Sequence, residues 1–346
     1  MATQETQILD NIIASRRALL VGGGAALAAL AMPKTAKAAS TVASYGDTDI
    51  LNFALNLEYL EATFYYYAAF GTDITVANGS AGAQTITGAG TAGGPVVIKP
   101  NAKVPFTNLT VASYALETAI EEGKHVNFLR TALGSAVVAR PQIDLQNSFN
   151  ALATAAGSPL PTTFDPFLND ANFLLGAYIF EDVGVSAYSG AAPLFTTTSS
   201  GKGYLAAAAS ILAVEGYHAG LIRTVLNASD NGIIFPTYPA GTLATATQKI
   251  STVRSNAAKA LAQGTPNLDA SPDDYGFGQA AAQVTLGAAA VKVNRSQLVD
   301  ADLTNATAFE RTTSQVLNIV TIGNAVTAGT QAKGGFFPNG LNGTFS

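Results

Sequence analysis

Cysteine is absent from the 346 residues, so the chain has no disulfide framework and no thiolate metal site. Any transition metal must be held through histidine, carboxylate or water, donors that suit iron, manganese or zinc better than copper(I) or an iron–sulfur cluster. Charge is scarce, at 12% of residues against 48% hydrophobic, which leaves ample material for a core and little for a solvated surface. Basic runs are missing. Beyond residue 38 there are 14 basic and 21 acidic residues, a net −7, a poor basis for contact with a phosphate backbone, so nucleic acid is not an expected partner.

The N-terminal apolar stretch, Ala18 to Met32, is about 15 residues long, short of the ~20 that a membrane-spanning helix needs. Arg16-Arg17 precedes it and Ala36-Lys37-Ala38 follows as a small-x-small cleavage site. Residues 1–38 therefore read as a twin-arginine-type signal peptide. The expectation is export to the periplasm or medium, with no stable membrane span once the leader is removed.

Four later segments read as helices. "DTDILNFALNLEYLEATFYYYAAFG" has Asp47 or Asp49 as N-cap and Gly71 beyond its end, and "TNLTVASYALETAIEEGKHVNFLRTALG" stops at Gly134. A third opens at Asp165-Pro166 and runs through "FLNDANFLLGAYIFEDVGVSAYSG"; the fourth is "GYLAAAASILAVEGYHAGLIRTVLN". All are apolar on more than one face, so they should pack together. Residues 191–202 are a short link for antiparallel neighbours, whereas 135–164 can cross the bundle. The expected fold is all-α: a four-helix bundle over 45–226 with one long crossover, the ferritin-like topology. Residues 72–106 form a glycine-rich β insert in which "AQTITGAG" and "GPVVIKP" read as two short strands. Residues 227–346 form a loop-rich extension wrapping the bundle, with helices expected in "ATQKISTVRSNAAKALAQG" and "TTSQVLNIVTIG". "GAGTAG" at 88–93 has the spacing of a dinucleotide-binding loop, but it leads into a strand-like segment and is rejected as one.

Histidine is the most informative scarcity. The only two, His125 and His218, each stand three residues after a glutamate, in "EEGKH" and "VEGYH". Residues three apart share a helix face, so Glu122 projects with His125 and Glu215 with His218. On the other two helices Glu58 and Glu181 each have a tyrosine seven residues on, Tyr65 and Tyr188. The formula occurs twice: Glu58, Tyr65, Glu122 and His125 in one half, Glu181, Tyr188, Glu215 and His218 in the other. Of eight glutamates beyond residue 38, seven lie in these helices. Four carboxylates inside an apolar bundle need compensation, and two divalent cations would supply +4 against −4. One histidine per metal in a carboxylate-rich site suits iron or manganese. Glu61 shares a face with Glu58 as a further ligand, a proton relay or an exposed carboxylate. Glu117 and Glu121 are expected to face solvent, and Asp182 to point away from the site.

"ALNLEYLEATFYYYA", "AYIFEDVGVSAYSGAAPLF", "ILAVEGYHAGLIRTVL" and the tail "GGFFPNGLNG" resemble the ferritin-like superfamily, in the branch of exported bacterial proteins related to plant desiccation-related proteins. The resemblance implies a dinuclear site of Glu58, Glu122, His125, Glu181, Glu215 and His218, bridged by Glu122 and Glu215. Tyr65 and Tyr188 would hydrogen-bond to ligand carboxylates, and no catalytic residue is implied beyond the ligands. The expected function is a di-iron or di-manganese protein reacting with O2 or peroxide. A structural, desiccation-protective role and a manganese catalase-like activity are the alternatives. Partners are then metal ions and O2 or peroxide, with a homo-oligomer left open.

Overall fold

In a computed structural model, the structure describes residues 45–87, 93–231, 234, 241–260, 273–286, 289–323 and 332–345, the strand segments after 277 as backbone alone. The expected signal peptide lies outside the described residues.

Helix α1 spans Asp47–Phe70. Its N-cap is Gly46 rather than either aspartate, and Asp49 instead accepts a 2.8 Å bond from the Gly46 N–H. Gly71 ends it in the left-handed region at φ 75°, where a residue without Cβ is unstrained. Helix α2, Leu109–Leu133, is capped by Asn108, whose side chain accepts from the N–H groups of Thr110 and Val111. A crossover follows, containing β2 (Ile143–Asp144) and an unforeseen helix α3, Asn147–Ala156. Helix α4 spans Asp170–Ala191 and α5 Ser199–Asp230. α1 packs along α2 and α4 along α5, and the two hairpins close on each other as a four-helix bundle.

The third bundle helix starts four residues later than the sequence suggests. Asp165 is committed elsewhere, with one oxygen accepting from the Phe167 N–H and the other paired with Lys99 at 2.6 Å. That makes an Asx turn, and Asn169 caps the helix by accepting from Asn172 N–H.

The insert also differs from expectation. Its only strand among the described residues is β1, Val96–Val97, which pairs in parallel with β2 of the crossover rather than within the insert. Residues 83–87 form no strand; 88–90 lie outside the described residues. Gly93 and Gly94 explain the pairing. A Cβ on Gly94 would stand 2.6 Å from the Gln142 backbone, so only glycine lets the insert lie this close to the crossover.

Beyond α5 come α6 (Thr242–Ala260), an antiparallel hairpin β3–β4 (Gly278–Leu286 and Ala289–Gln297) and α7 (Thr313–Val320). The hairpin is absent from the sequence reading, which treats this region as loop. Asp230, at the end of α5, caps α6 by accepting from the N–H groups of Leu243 and Ala244. The tail returns to the bundle: Asn342 and Asn56 exchange side-chain to backbone bonds, and Phe336 packs on Phe149 and Phe180 at 5.1 and 4.9 Å. Those rings join an aromatic cluster around Phe64, whose pairs each contribute about 0.5–1.5 kcal/mol beyond burial.

Candidate metal centre

Each bundle helix sends its glutamate inward. Glu58, Glu122, Glu181 and Glu215 are fully buried, with His125 and His218 close to it. Side-chain donors of Glu58, Glu122, Glu215 and His125 lie within 4.8 Å of one another; so do those of Glu122, Glu181, Glu215 and His218. Glu122 and Glu215 belong to both sets. His125 Nδ1 is 3.3 Å from Glu58 Oε2, 3.6 Å from Glu122 Oε2 and 3.4 Å from Glu215 Oε1. His218 Nδ1 is 3.1 Å from Glu122 Oε1 and 3.4 Å from Glu181 Oε2.

These atoms converge without satisfying each other. Both Nδ1 atoms, both oxygens of Glu122 and of Glu215, and one oxygen each of Glu58 and Glu181 are buried with no hydrogen-bond partner. Unpaired buried polar atoms are expensive, and so many in one place ask for a common partner. Donors bound at about 2.1 Å to one cation stand roughly 3–4 Å apart, which is the spacing here. Among the described residues the only cationic groups paired with these carboxylates are the two imidazoles. Arg130 instead donates to the hydroxyl of Tyr59. The residues present fit bound metal.

Electrostatics agree. Burial raises Glu58 to about 7, against the pull of His125, and raises Glu61, Glu181 and Glu215 as well, with neighbouring carboxylates adding to it at Glu61 and Glu215. Burial also pushes on Glu122, but the two imidazoles win and hold it below the usual carboxylate range. Against their own burial, the imidazoles are raised by Glu58 at His125 and by Glu181 at His218. With no cation bound, burial and mutual repulsion favour the protonated forms of these carboxyls.

The tyrosines cross over between the halves. Tyr65 on α1 donates to Glu181 on α4, and Tyr188 on α4 donates to Glu58 on α1. Each thus supports the glutamate of the opposite helix rather than its own. Burial keeps both phenols well above their ordinary range, so they remain donors.

Glu61 is buried and faces the cluster. It also lines a cavity of about 20 Å³, room for roughly one water, with Leu57, Phe180, Gly184, Ile319 and Phe336. The cavity wall therefore includes the C-terminal extension. Gly184 stands three residues after Glu181, as Glu61 does after Glu58. A Cβ there would fall 2.3 Å from Glu215 Oε2, so this glycine makes room for a donor carboxylate. Its signal in the sequence was its helical phase with Glu181.

Glu121 differs from expectation. It is half-buried, and its Oε2 lies 2.8 Å from His218 Nε2, a bond that holds its carboxyl below the ordinary range. The adjacent acid in "EEGKH" was its only trace. Asp182 does point away, into a buried network in which it accepts from Arg223 at 2.7 Å and Arg254 at 2.8 Å.

Comparison with known proteins adds to this geometry. A family model described as the ferritin-like domain matches residues 46–228. The desiccation-related protein PCC13-62 of Craterostigma plantagineum is 34% identical over 185 residues, 52% of this chain and 53% of that protein. The chain thus spans about half the length of that relative. The ferritin-like catalase Nec2 of Nesocodon mauritianus is 25% identical over 300 residues, 86% of this chain and 84% of that protein. No solved structure matches significantly. With the family model covering residues 46–228 and a buried cluster of Glu and His inside that span, the chain belongs to the ferritin-like family.

Proposed function

We propose that this chain is an exported dinuclear metalloprotein that binds two iron or manganese ions and reacts with peroxide or O2. The observation that carries the reading is the pair of overlapping donor sets, whose buried atoms have no other partner. Glu58 and His125 would complete one ion's set and Glu181 and His218 the other's, with Glu122 and Glu215 shared. Such a pair of ions, when bound, would supply two-electron exchange with a small oxygen substrate.

The chain's own residues set the conditions. Tyr65 and Tyr188 fix the Glu181 and Glu58 carboxylates by donating to them. Glu61, whose carboxyl burial and Glu215 push well above its ordinary range, stands beside the centre as a candidate proton carrier. Apolar walls from α1, α4 and the extension keep bulk water from that side.

Peroxide is favoured as the substrate because similarity to Nec2, a protein named as a catalase, runs through bundle and extension alike. A stress-protective role with a structural metal is the second reading, favoured by the stronger identity to the desiccation-related protein. Export rests on Arg16-Arg17 and the apolar stretch behind it. The test is to measure metal content in purified protein, O2 evolution from hydrogen peroxide, and O2 consumption on adding iron(II). Turnover abolished by Glu122→Ala supports the first reading. Stoichiometric metal without turnover supports the second, and no metal uptake removes both.

A further inference from the structure

We propose that Glu121 is a positioning residue that makes the two metal positions unequal, so that the half held by Glu181 and His218 fills first. The inference rests on the dinuclear reading above and adds an order of loading to it.

Apart from Glu61, whose place in the other half is taken by Gly184, the two halves differ at the outer ring nitrogen of the histidines. His218 turns Nδ1 towards Glu122 and Glu181, and its other ring nitrogen meets Glu121 Oε2 at 2.8 Å. An imidazole that gives Nδ1 to a cation carries its hydrogen on Nε2, and Glu121 accepts that hydrogen. A carboxylate there fixes the tautomer and the ring plane and makes Nδ1 a stronger donor. His125 also turns Nδ1 inward, but every carboxylate paired with it lies on that inner side. The residue that precedes Glu215, as Glu121 precedes Glu122, is Val214, which offers no acceptor. The inequality at the histidines therefore comes from one side chain on α2 reaching across to α5. The Glu121 charge acts on both imidazoles, but its hydrogen bond and its stronger attraction go to His218.

The test uses the full chain stripped with chelator and titrated with manganese(II), followed by calorimetry and by electron paramagnetic resonance. The wild type should bind in two steps at least about 10-fold apart, with an isolated-ion spectrum at one equivalent and a coupled spectrum at two. His125→Ala should remove the weaker step and His218→Ala the stronger. Glu121→Leu should weaken the strong step by about 10–100-fold and leave the weak one nearly unchanged. Val214→Glu should strengthen the weak step and bring the two together, an effect that a merely structural role for Glu121 does not produce. Equal affinities in the wild type, or a strong step that survives His218→Ala, would overturn the proposal while leaving the dinuclear reading intact. No uptake of manganese by any variant would overturn both.

Discussion

The two repeated glycines show how one motif can serve two physical purposes. Gly123 and Gly216 each follow a donor glutamate inside a helix, where glycine costs about 1 kcal/mol relative to alanine. A Cβ on Gly123 would stand 2.5 Å from the Tyr66 hydroxyl and 3.0 Å from Gln84 Cβ, because the insert lies on α2 at this point. A Cβ on Gly216 would meet nothing within 4 Å. Gly123→Ala should therefore destabilise by ~1–3 kcal/mol, overpacking outweighing the helix gain. Gly216→Ala should stabilise by up to about 1 kcal/mol. Urea unfolding of both variants, with and without metal, checks the pair; equal effects would mean that the insert does not press on Gly123. The donor residues divide in the same way. Glu122 belongs to both donor sets and Glu58 to one. Glu58→Gln should halve the bound metal, and Glu122→Gln should remove nearly all of it, as elemental analysis after desalting would show.

At the scale of elements, a buried ionic network joins the extension to the bundle. Arg254 on α6 donates to Asp182 of α4 at 2.8 Å, to Asp274 at 2.7 Å and to the Tyr178 carbonyl at 2.6 Å. Arg311 reaches Asp274 at 2.9 Å, and Arg223 of α5 reaches Asp182. Removing one member leaves buried charges without their partner. Arg254→Ala should cost about 3–5 kcal/mol and open the extension to protease before the bundle, which limited proteolysis with mass analysis can follow. Simultaneous cleavage of both would show that the network is not what ties them.

The same scale shows what the sequence could reveal. The bundle helices announce themselves by length and the Glu-x-x-His frames; helical phase pairs Glu122 with His125 and Glu215 with His218, and the repeated tyrosine spacing picks out Glu58 and Glu181. Glu121 escaped because its role depends on α5 passing beside α2, which no local pattern encodes. The β3–β4 hairpin escaped because "GQAAAQVTLGAAAVKVNRSQ" is too alanine-rich to read as strand. The Asp182–Arg254 contact escaped because it joins residues 72 positions apart.

For the whole molecule, the buried cluster couples folding to pH and, on the proposed dinuclear reading, to metal. Glu58 has a folded pKa raised to about 7 from 4.5. Its stabilising contribution in the metal-free chain is complete below 4.5 and is lost as pH climbs to 7, an effect on the order of 3 kcal/mol. His125 and His218, also raised, add the same sign: their contribution is full below 6.5 and drains away at higher pH. Glu122 is lowered, so its contribution is present above 4.5 and fades only in stronger acid, outside this window. Metal-free protein should thus unfold at a lower temperature at pH 8 than at pH 5. Bound cations reverse the sign, because their donors must shed the same protons. Manganese(II) at 100 times a site's dissociation constant adds about 2.7 kcal/mol at that site, and the dissociation constant falls as pH rises. The difference in melting temperature with and without manganese should therefore widen from pH 5 to pH 8. Scanning calorimetry with chelator and with manganese at both values measures it. If the two pH slopes run parallel, the ion sits somewhere other than among these four carboxylates.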